Sequence, residues 1–247
     1  MPMTYDDLLW ADWPAPENIR ALTTTRAGGV SESNYHSLNL ADHVDDDISH
    51  VLENRQRLCQ HLKIQQPLWL QQVHGVQVAN AQRANQPVEA DAIVSFQANQ
   101  PCAVMTADCL PLLFCNQPAT KVAAAHAGWR GLANGVIEAT VDAMQENSRA
   151  LMVWLGPAIG PQQFEVGQDV FDAFVKHDPA AEKAFEQTDE THYLADIYQL
   201  ARQRLYKLGV EAVYGGGLCT YSDKERFYSF RRNPVTGRMA SLIWIEE

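Results

Sequence analysis

The chain has 247 residues, of which 46% are hydrophobic, and a formal net charge of −11 at pH 7. This length allows one large domain with a sizeable core. The acidic balance argues against a general nucleic-acid or membrane-surface binder, because both need a basic face.

The first residues lack the basic and apolar pattern of a signal peptide, and no apolar run approaches the about 20 residues of a membrane span. The chain has 5 cysteines, and an odd number in a fairly long chain does not indicate a disulfide framework. We therefore expect reduced thiols, a cytoplasmic location and a single domain over residues 1–247.

Hydrophobic periodicity and turn residues predict the following elements in chain order: helix 48–62, strands 77–81, 92–96, 102–105, 112–115 and 121–125, helix 132–144, strand 151–155, helices 170–175 and 197–208, and strands 212–214, 227–231 and 239–245. The last helix begins at Asp196, with Gln199 at capping-box spacing. The last two strands flank a turn-rich stretch at 233–237, which predicts a hairpin. Strands outnumber helices without strict alternation, which favours an α+β fold with mixed or antiparallel sheets and helices packed outside.

Two histidines and one cysteine stand in distinctive local contexts. His74 precedes a predicted strand, Cys109 lies between two apolar runs, and His126 follows a run of small residues and precedes Gly128. Pro111 is expected to end the strand next to Cys109, which would place the thiol at a strand end. One thiolate and two imidazoles form a natural three-ligand set for zinc, with a fourth position left open in catalytic sites.

The same three side chains also allow other interpretations. Cys109 can be a buried, unreactive thiol, and His126 can be a histidine that is satisfied in the core. The two can instead form a nucleophile–base pair for acyl transfer. His74, Cys109 and His126, with Met105 as a weak axial ligand, also have the composition of a blue-copper site. A multicopper oxidase needs several His-x-His pairs, and the sequence contains none.

Several arginines are candidates for binding an anion. Arg55 falls on the predicted buried stripe of helix 48–62, where its guanidinium needs an acceptor or must extend to water. Arg231 and Arg232 are expected to alternate across a strand, so that one of them faces inward. Arg130 is a third candidate.

Two acidic residues, Glu165 and Asp196, have local contexts that indicate a specific role. Glu165 follows a Gly- and Pro-rich stretch at 156–164, so it is either a site carboxylate or an ordinary solvated loop residue. Asp196 is expected to cap the last predicted helix.

Motifs in order along almost the whole chain resemble the laccase-domain family, also called the multicopper polyphenol oxidase-like or peptidoglycan editing factor family. The matching segments are Thr-Thr-Arg-Ala-Gly-Gly-Val-Ser at 24–31, Ser-Leu-Asn-Leu at 37–40, Gln-Val-His-Gly at 72–75, Thr-Ala-Asp-Cys-Leu-Pro at 106–111, His-Ala-Gly-Trp-Arg-Gly at 126–131, Gly-Pro-Ala-Ile-Gly at 156–160, Phe-Glu-Val-Gly at 164–167, Cys-Thr at 219–220, Phe-Arg-Arg at 230–232 and Thr-Gly-Arg-Met at 236–239.

The resemblance implies an α+β fold and a zinc site of His74, Cys109 and His126, with the same three residues essential for catalysis. It implies purine nucleoside phosphorylase activity on adenosine, inosine, guanosine and methylthioadenosine, with adenosine deaminase activity. An alternative within the family is an amidase that edits peptidoglycan precursors by releasing L-serine from UDP-MurNAc-L-Ser. The older label of copper polyphenol oxidase fits the residues least well.

The resemblance also covers the segments that hold the candidate substrate-binding residues Asn39, Arg55, Arg231 and Glu165. We expect Arg55 and Arg231 to serve anionic groups of the substrate, with Asn39 as a polar contact nearby. Zinc activates water for attack on purine C6 or on an amide carbonyl. No His-x-Glu motif supplies the carboxylate that a zinc deaminase normally uses to move protons.

Overall fold

The structure is a computed structural model that describes residues 4–84 and 87–247, apart from the side chain at position 6. The strands in this part of the chain are β1 (Leu8–Trp10), β2 (Ile19–Thr24), β3 (Leu70–Gln71), β4 (Val78–Asn80), β5 (Val88–Glu89), β6 (Ala92–Ser95), β7 (Cys102–Thr106), β8 (Leu110–Asn116), β9 (Val122–Ala127), β10 (Leu151–Leu155), β11 (Glu165–Gly167), β12 (Phe185–Gln187), β13 (His192–Ala195), β14 (Ala212–Gly215) and β15 (Met239–Ile245). The α-helices are α1 (Ile48–Leu62), α2 (Trp129–Asn134), α3 (Val136–Ala143), α4 (Gln168–Val175) and α5 (Ile197–Lys207).

Two sheets carry the fold. The larger has six strands in the order β14-β10-β8-β9-β6-β4, and the smaller has four strands in the order β1-β2-β15-β7. The smaller sheet is antiparallel, whereas the larger one is mixed because β14 and β4 pair in parallel with their neighbours. The predicted α+β class with mixed and antiparallel sheets is confirmed.

The larger sheet is covered on both faces, which is why its central strands read as continuous apolar runs. Along β8, Leu113 and Cys115 pack with Ile243 of the smaller sheet, and Leu112 and Phe114 pack toward the helices. All seven residues of β8 are buried. Burial of a side chain such as Phe114 stabilises the fold by about 1.5–3 kcal/mol.

The outer face of the smaller sheet is covered by α1. Leu22 of β2 and Leu242 of β15 form a cluster there with Leu58 of the helix and with Leu38 and Leu40 of the preceding loop. No helix among the described residues is long and apolar enough to cross a membrane.

Three local predictions are corrected by the structure. Residues 227–231 form an irregular segment that ends in a turn instead of a strand, so β15 pairs with β2 and β7 and not in the predicted hairpin. Pro111 lies inside β8, which begins at Leu110, and so Cys109 precedes this strand. The predicted helix 132–144 is two helices, because the chain takes a left-handed conformation at Gly135, with φ of 102°.

The cap of α5 is confirmed in part. The Asp196 side chain accepts a hydrogen bond of 2.9 Å from the backbone amide of Gln199, as expected of an N-cap. The Gln199 side chain donates instead to the carbonyl of Lys183, so the reciprocal half of a capping box is not made.

Candidate metal centre and active-site cavity

The two predicted histidines and the predicted cysteine meet at the ends of the central strands β8 and β9 of the larger sheet. His126 is in β9, Cys109 is in the turn between β7 and β8, and His74 follows β3. The antiparallel pairing of β8 with β9 sets Pro111 opposite His126 and thereby brings the Cys109 turn beside it. The ligand atoms of the three residues lie within 4.8 Å of one another, and Cys109 Sγ is 3.9 Å from His74 Nε2.

A buried carboxylate, Asp91, holds both histidines in place. Its Oδ1 is 2.8 Å from Nδ1 of His126, and it accepts hydrogen bonds from the backbone amides of Val73, His74 and Gly75 at 3.2, 2.9 and 2.7 Å. Because Nδ1 of His126 is occupied, Nε2 is the nitrogen left for a metal, an arrangement that is typical of metal-bound histidine. Sequence reasoning did not single out Asp91; the available signal was an acidic residue directly before the apolar run of β6.

Cys109, His126 and Asp91 shift one another's pKa values. Burial by itself would raise the pKa of Cys109, but the charge of His126 and hydrogen bonds from both histidines outweigh it and lower that pKa to about 6. For His126, burial lowers the pKa, while the Cys109 thiolate and Asp91 raise it to about 9. Burial acts to raise the pKa of Asp91, and its hydrogen bonds to His126 and Gly75 reverse this and lower it. Without a metal the pair is therefore a thiolate beside a protonated imidazole; the thiolate is the form that binds metals, and a metal would have to displace the proton of His126.

The donor set and its spacing fit zinc. Zinc–sulfur and zinc–nitrogen bonds of about 2.3 and 2.0–2.1 Å at tetrahedral angles separate the donor atoms by roughly 3.3–3.6 Å. The Cys109–His74 separation of 3.9 Å is close to this range, and the whole set, which spans up to 4.8 Å, would have to contract by about an ångström around the ion. The space between His74 and Cys109 depends on the glycine at position 128. A Cβ atom there would lie 2.6 Å from His74 Cδ2 and 3.1 Å from Cys109 Sγ.

Gly128→Ala is expected to weaken zinc binding by at least about tenfold, because the methyl group must displace a ligand and overpacking of this kind costs about 1–3 kcal/mol. Competition with a chromophoric chelator measures the affinity. Gly75→Ala is the matched control, since a Cβ there meets its nearest neighbours at an ordinary 3.4 and 3.5 Å. Equal zinc affinity in the two variants would contradict the assigned geometry.

The three ligands lie in a cavity of about 370 Å³, within the range of about 300–1,000 Å³ that is usual for small-molecule sites. Its walls are mainly aromatic and aliphatic, with two arginines and a histidine. Besides the three ligands, the lining residues are His43, Gln72, Met105, Thr106, Ala107, Asp108, Trp129, Ile159, Phe164, Ile197, Phe230, Arg231 and Arg238.

Asp108 fastens the C-terminal loop to this cavity. Its carboxylate accepts hydrogen bonds from Thr220 Oγ1 at 2.6 Å, from Ser229 Oγ at 3.0 Å and from the Arg231 amide at 2.7 Å. These bonds take the place of the strand predicted at 227–231, and they put Phe230 and Arg231 in the cavity wall.

Of the candidate substrate-binding residues, the structure brings Arg231 to the cavity. Arg231 Nη2 donates to the backbone carbonyl of Glu165 at 2.9 Å, and its guanidinium carbon lies 5.9 Å from the centre of the Phe164 ring. Glu165 itself is exposed at the start of β11, and its carboxylate is not part of the lining.

Asn39 and Arg55 lie outside this lining. Asn39 is fully buried, and its Oδ1 accepts from the Arg238 amide at 3.0 Å while its Nδ2 donates to Asp46 at 2.9 Å. It positions the segment that carries Arg238, another lining residue that sequence reasoning missed. Arg55 is buried as its helical spacing predicted, but in the wall of a neighbouring cavity.

The other two arginines have structural contacts. The guanidinium of Arg232 donates to the backbone carbonyls of Thr220, Tyr221 and Phe227, which closes the C-terminal loop on itself. Arg130 is exposed and lies over the Trp129 ring, with 4.4 Å between its guanidinium carbon and the ring centre.

Proteins similar to this chain cover nearly all of it. The chain is 55% identical over 240 residues, 97% of its own length and 98% of the relative's, to a protein of Pseudomonas aeruginosa named purine nucleoside phosphorylase PA4543. It is 51% identical, over 96% of its length and 98% of the relative's, to purine nucleoside phosphorylase YfiH of Escherichia coli K12.

Solved structures show the same fold. Protein NMB0706 of Neisseria meningitidis superposes with a TM-score of 0.95 at 50% identity, covering 98% of this chain and 100% of the other. YlmD of Geobacillus stearothermophilus superposes with a TM-score of 0.89 at 31% identity, covering 96% of each chain. Residues 20–246 match the family described as "Multi-copper polyphenol oxidoreductase laccase", and the chain belongs to that family.

Proposed function

We propose that this chain is a zinc-dependent purine nucleoside phosphorylase that acts on adenosine, inosine, guanosine and methylthioadenosine, with adenosine deamination as a side activity. The observation that carries the proposal is that one small cavity combines the His74–Cys109–His126 ligand set with aromatic walls and two arginines. The names of the relatives at 55% and 51% identity support the same class of enzyme.

The cavity walls suit a purine. Trp129, Phe164 and Phe230 offer rings that a flat heterocycle can pack against, and Ile159 and Met105 extend the apolar surface. A nucleoside is small enough for a space of about 370 Å³, whereas UDP-MurNAc-L-Ser is more than twice as large and would have to project out of it. The cavity by itself is therefore sufficient for a nucleoside, whereas the precursor would need contacts beyond it.

Phosphorolysis breaks the bond between C1′ and the purine nitrogen and forms a bond from C1′ to a phosphate oxygen, and the bonding electrons leave with the purine, which takes up a proton. The guanidinium groups of Arg231 and Arg238 are placed in the cavity wall to balance the negative charge of phosphate and of the departing base. Asp108 holds Arg231 in this wall, because its carboxylate accepts a hydrogen bond from the backbone amide of Arg231. His74, Cys109 and His126 would hold the zinc ion, which would supply Lewis-acid activation.

Deamination is expected to be the slower activity. It needs a group that moves a proton from water to the leaving ammonia, usually a carboxylate that is free to titrate. Asp108 is the carboxylate in the described lining of the cavity, and it already accepts three hydrogen bonds. The site is therefore better equipped to bind phosphate and purine than to move this proton.

The test is to incubate the purified protein with adenosine and phosphate, and separately with UDP-MurNAc-L-Ser, and to identify the products by mass spectrometry. We expect adenine and ribose 1-phosphate, formed only when phosphate is present, and inosine at a lower rate. Arg231→Met should raise the KM for phosphate or nucleoside by roughly tenfold or more, because it removes a charge-assisted contact.

Arg130→Met is the matched control, because Arg130 is exposed on Trp129 and is not part of the cavity lining. Its kinetics should equal those of the original chain. Release of serine from UDP-MurNAc-L-Ser with negligible turnover of nucleosides would overturn the proposal in favour of the editing amidase.

A further inference from the structure

His43 lines the active-site cavity without taking part in the metal site or in the hydrogen bonds of Asp108. His74, Cys109 and His126 form the candidate ligand set, and the carboxylate of Asp108 already accepts three hydrogen bonds. The arginines of the lining do not release a proton at neutral pH. Among the described lining residues, His43 is therefore the side chain that is free to supply a proton to a reaction in the cavity.

His43 is the last of three ionisable side chains that lead from the core to the cavity. Arg55, whose side chain is only 7% exposed, donates from Nε to the carbonyl of Leu40 at 2.9 Å, and its Nη2 lies 3.3 Å from Asp42 Oδ2. The other oxygen of this carboxylate, Oδ1, lies 3.5 Å from Nδ1 of His43. Arg55 thus holds the loop that carries Asp42. Because Asp42 faces Nδ1 of the imidazole, Nε2 is the nitrogen available to a ligand.

Opposing charges act on this imidazole. Burial and the charge of Arg238 lower the pKa of His43, and the charge of Arg55 acts in the same direction, whereas Asp42 raises that pKa without reversing the shift. A phosphate dianion bound at Arg238 would offset the positive charge there and would favour the protonated imidazole. His43 is therefore expected to hold a proton when phosphate occupies the cavity, and to give it up readily.

We propose that His43 is the proton donor to the departing purine, and that Asp42 and Arg55 are positioning residues that orient its ring. The inference rests on the proposed function, because cleavage of the nucleoside creates a purine anion that needs a proton. The bond between C1′ and N9 breaks with its electrons going to the base, the proton on His43 Nε2 passes to N7 of the base, and a phosphate oxygen bonds to C1′.

The cycle closes through the solvent. The His43 side chain is 56% exposed, so the neutral imidazole that remains can exchange protons with water. Hydrogen phosphate, once it has become an ester of the sugar, releases its remaining proton to the solvent, because the second pKa of a phosphate ester is about 6. His43 takes up one proton from the solvent, and the protonated form is restored.

A proton donor has an effect that depends on the leaving group. The base of guanosine departs as an anion that must be protonated, whereas the base of 7-methylguanosine already carries a positive charge and departs as a neutral molecule. A side chain that binds phosphate or ribose, or that only stabilises the fold, acts alike on both nucleosides. Comparison of the two substrates therefore separates proton donation from binding and from stability.

The experiment measures kcat/KM for phosphorolysis of guanosine and of 7-methylguanosine by the purified protein. His43→Gln keeps a side chain that forms hydrogen bonds but transfers no proton, and we expect it to lower kcat/KM for guanosine by roughly 100-fold and for 7-methylguanosine by less than about threefold. Asp42→Asn should lower the guanosine value alone, by roughly tenfold, because the protonated fraction of His43 falls. Arg55→Lys should show the same selectivity with a smaller loss, because the charge remains and the fork is lost.

His61→Gln is the matched control, because His61 is an exposed histidine in the last turn of α1 and is not part of the described cavity lining. Both of its kcat/KM values should equal those of the original chain. Equal losses for the two nucleosides in His43→Gln, or no loss for guanosine, would overturn the proposal and leave the proposed function intact. Failure of the original chain to cleave guanosine with phosphate would refute the proposed function and this inference with it.

A second measurement uses His43→Ala with added imidazole. The free base fits the space that the side chain leaves, so it should restore part of the guanosine turnover and should not change that of His61→Gln. This rescue decides the question if the original chain cleaves guanosine but not 7-methylguanosine. Recovery of turnover then supports His43 as the proton donor, and no recovery overturns it.

Discussion

Cys109→Ala is expected to purify without zinc and to lose more than about a hundredfold in nucleoside turnover. Loss of a group that only orients a metal ligand typically costs about 10- to 100-fold, and loss of the thiolate itself should exceed this. The fold should persist, since the large buried cores on both faces of the six-stranded sheet do not depend on the site. Metal analysis, circular dichroism and the phosphorolysis assay on the same preparation measure all three properties.

Cys59→Ala is the control for the loss of a thiol. Cys59 is partly buried on α1, and burial raises its pKa, so it has no tendency to ionise. This variant should keep both zinc and activity. Stoichiometric zinc in Cys109→Ala would remove Cys109 from the ligand set.

Asp91→Asn is expected to lower zinc affinity by about 10- to 100-fold, because the change weakens the group that orients His126 and anchors the backbone of His74. Asp91 is fully buried and accepts four hydrogen bonds. The amide NH2 group of an asparagine would face these N–H donors and could not accept from them. Stability should also fall, by about 3–5 kcal/mol, as when one partner of a buried ion pair is removed. Chelator competition gives the first value and urea unfolding gives the second.

Asp196→Asn serves as the comparison for Asp91→Asn. Asp196 caps α5 through the Gln199 amide, a role in which asparagine is about as good as aspartate. Its zinc affinity and stability should be nearly those of the original chain. If Asp91→Asn bound zinc as tightly as Asp196→Asn does, Asp91 would have no role in positioning the metal ligands.

Local sequence carried enough information to predict that His74, Cys109 and His126 form a cluster that could hold a metal ion, because each lies in a short, distinctive motif. Arg55 was predicted to be buried from helical spacing alone, and it is. Its contacts were not predictable, since Leu40 and Asp42 come from a loop that has no periodic pattern.

The failures arose where distant segments decide local structure. Residues 227–231 have an apolar pattern that is typical of a strand, but Ser229 and the Arg231 amide bind Asp108, more than a hundred residues earlier. Asp91 was missed for the same reason: its four donors come from residues 73–75 and 126. Side chains that hold ligands through long-range hydrogen bonds leave little trace in the sequence around them.

The zinc K-edge X-ray absorption spectrum of the protein, purified without added metal, tests the central claim most directly. A site made by His74, Cys109 and His126 predicts one sulfur at about 2.3 Å and two or three nitrogen or oxygen atoms at about 2.0–2.1 Å, with about one zinc per chain. A first coordination shell without sulfur, a shell with several sulfurs, or copper in place of zinc would contradict the assignment of this site.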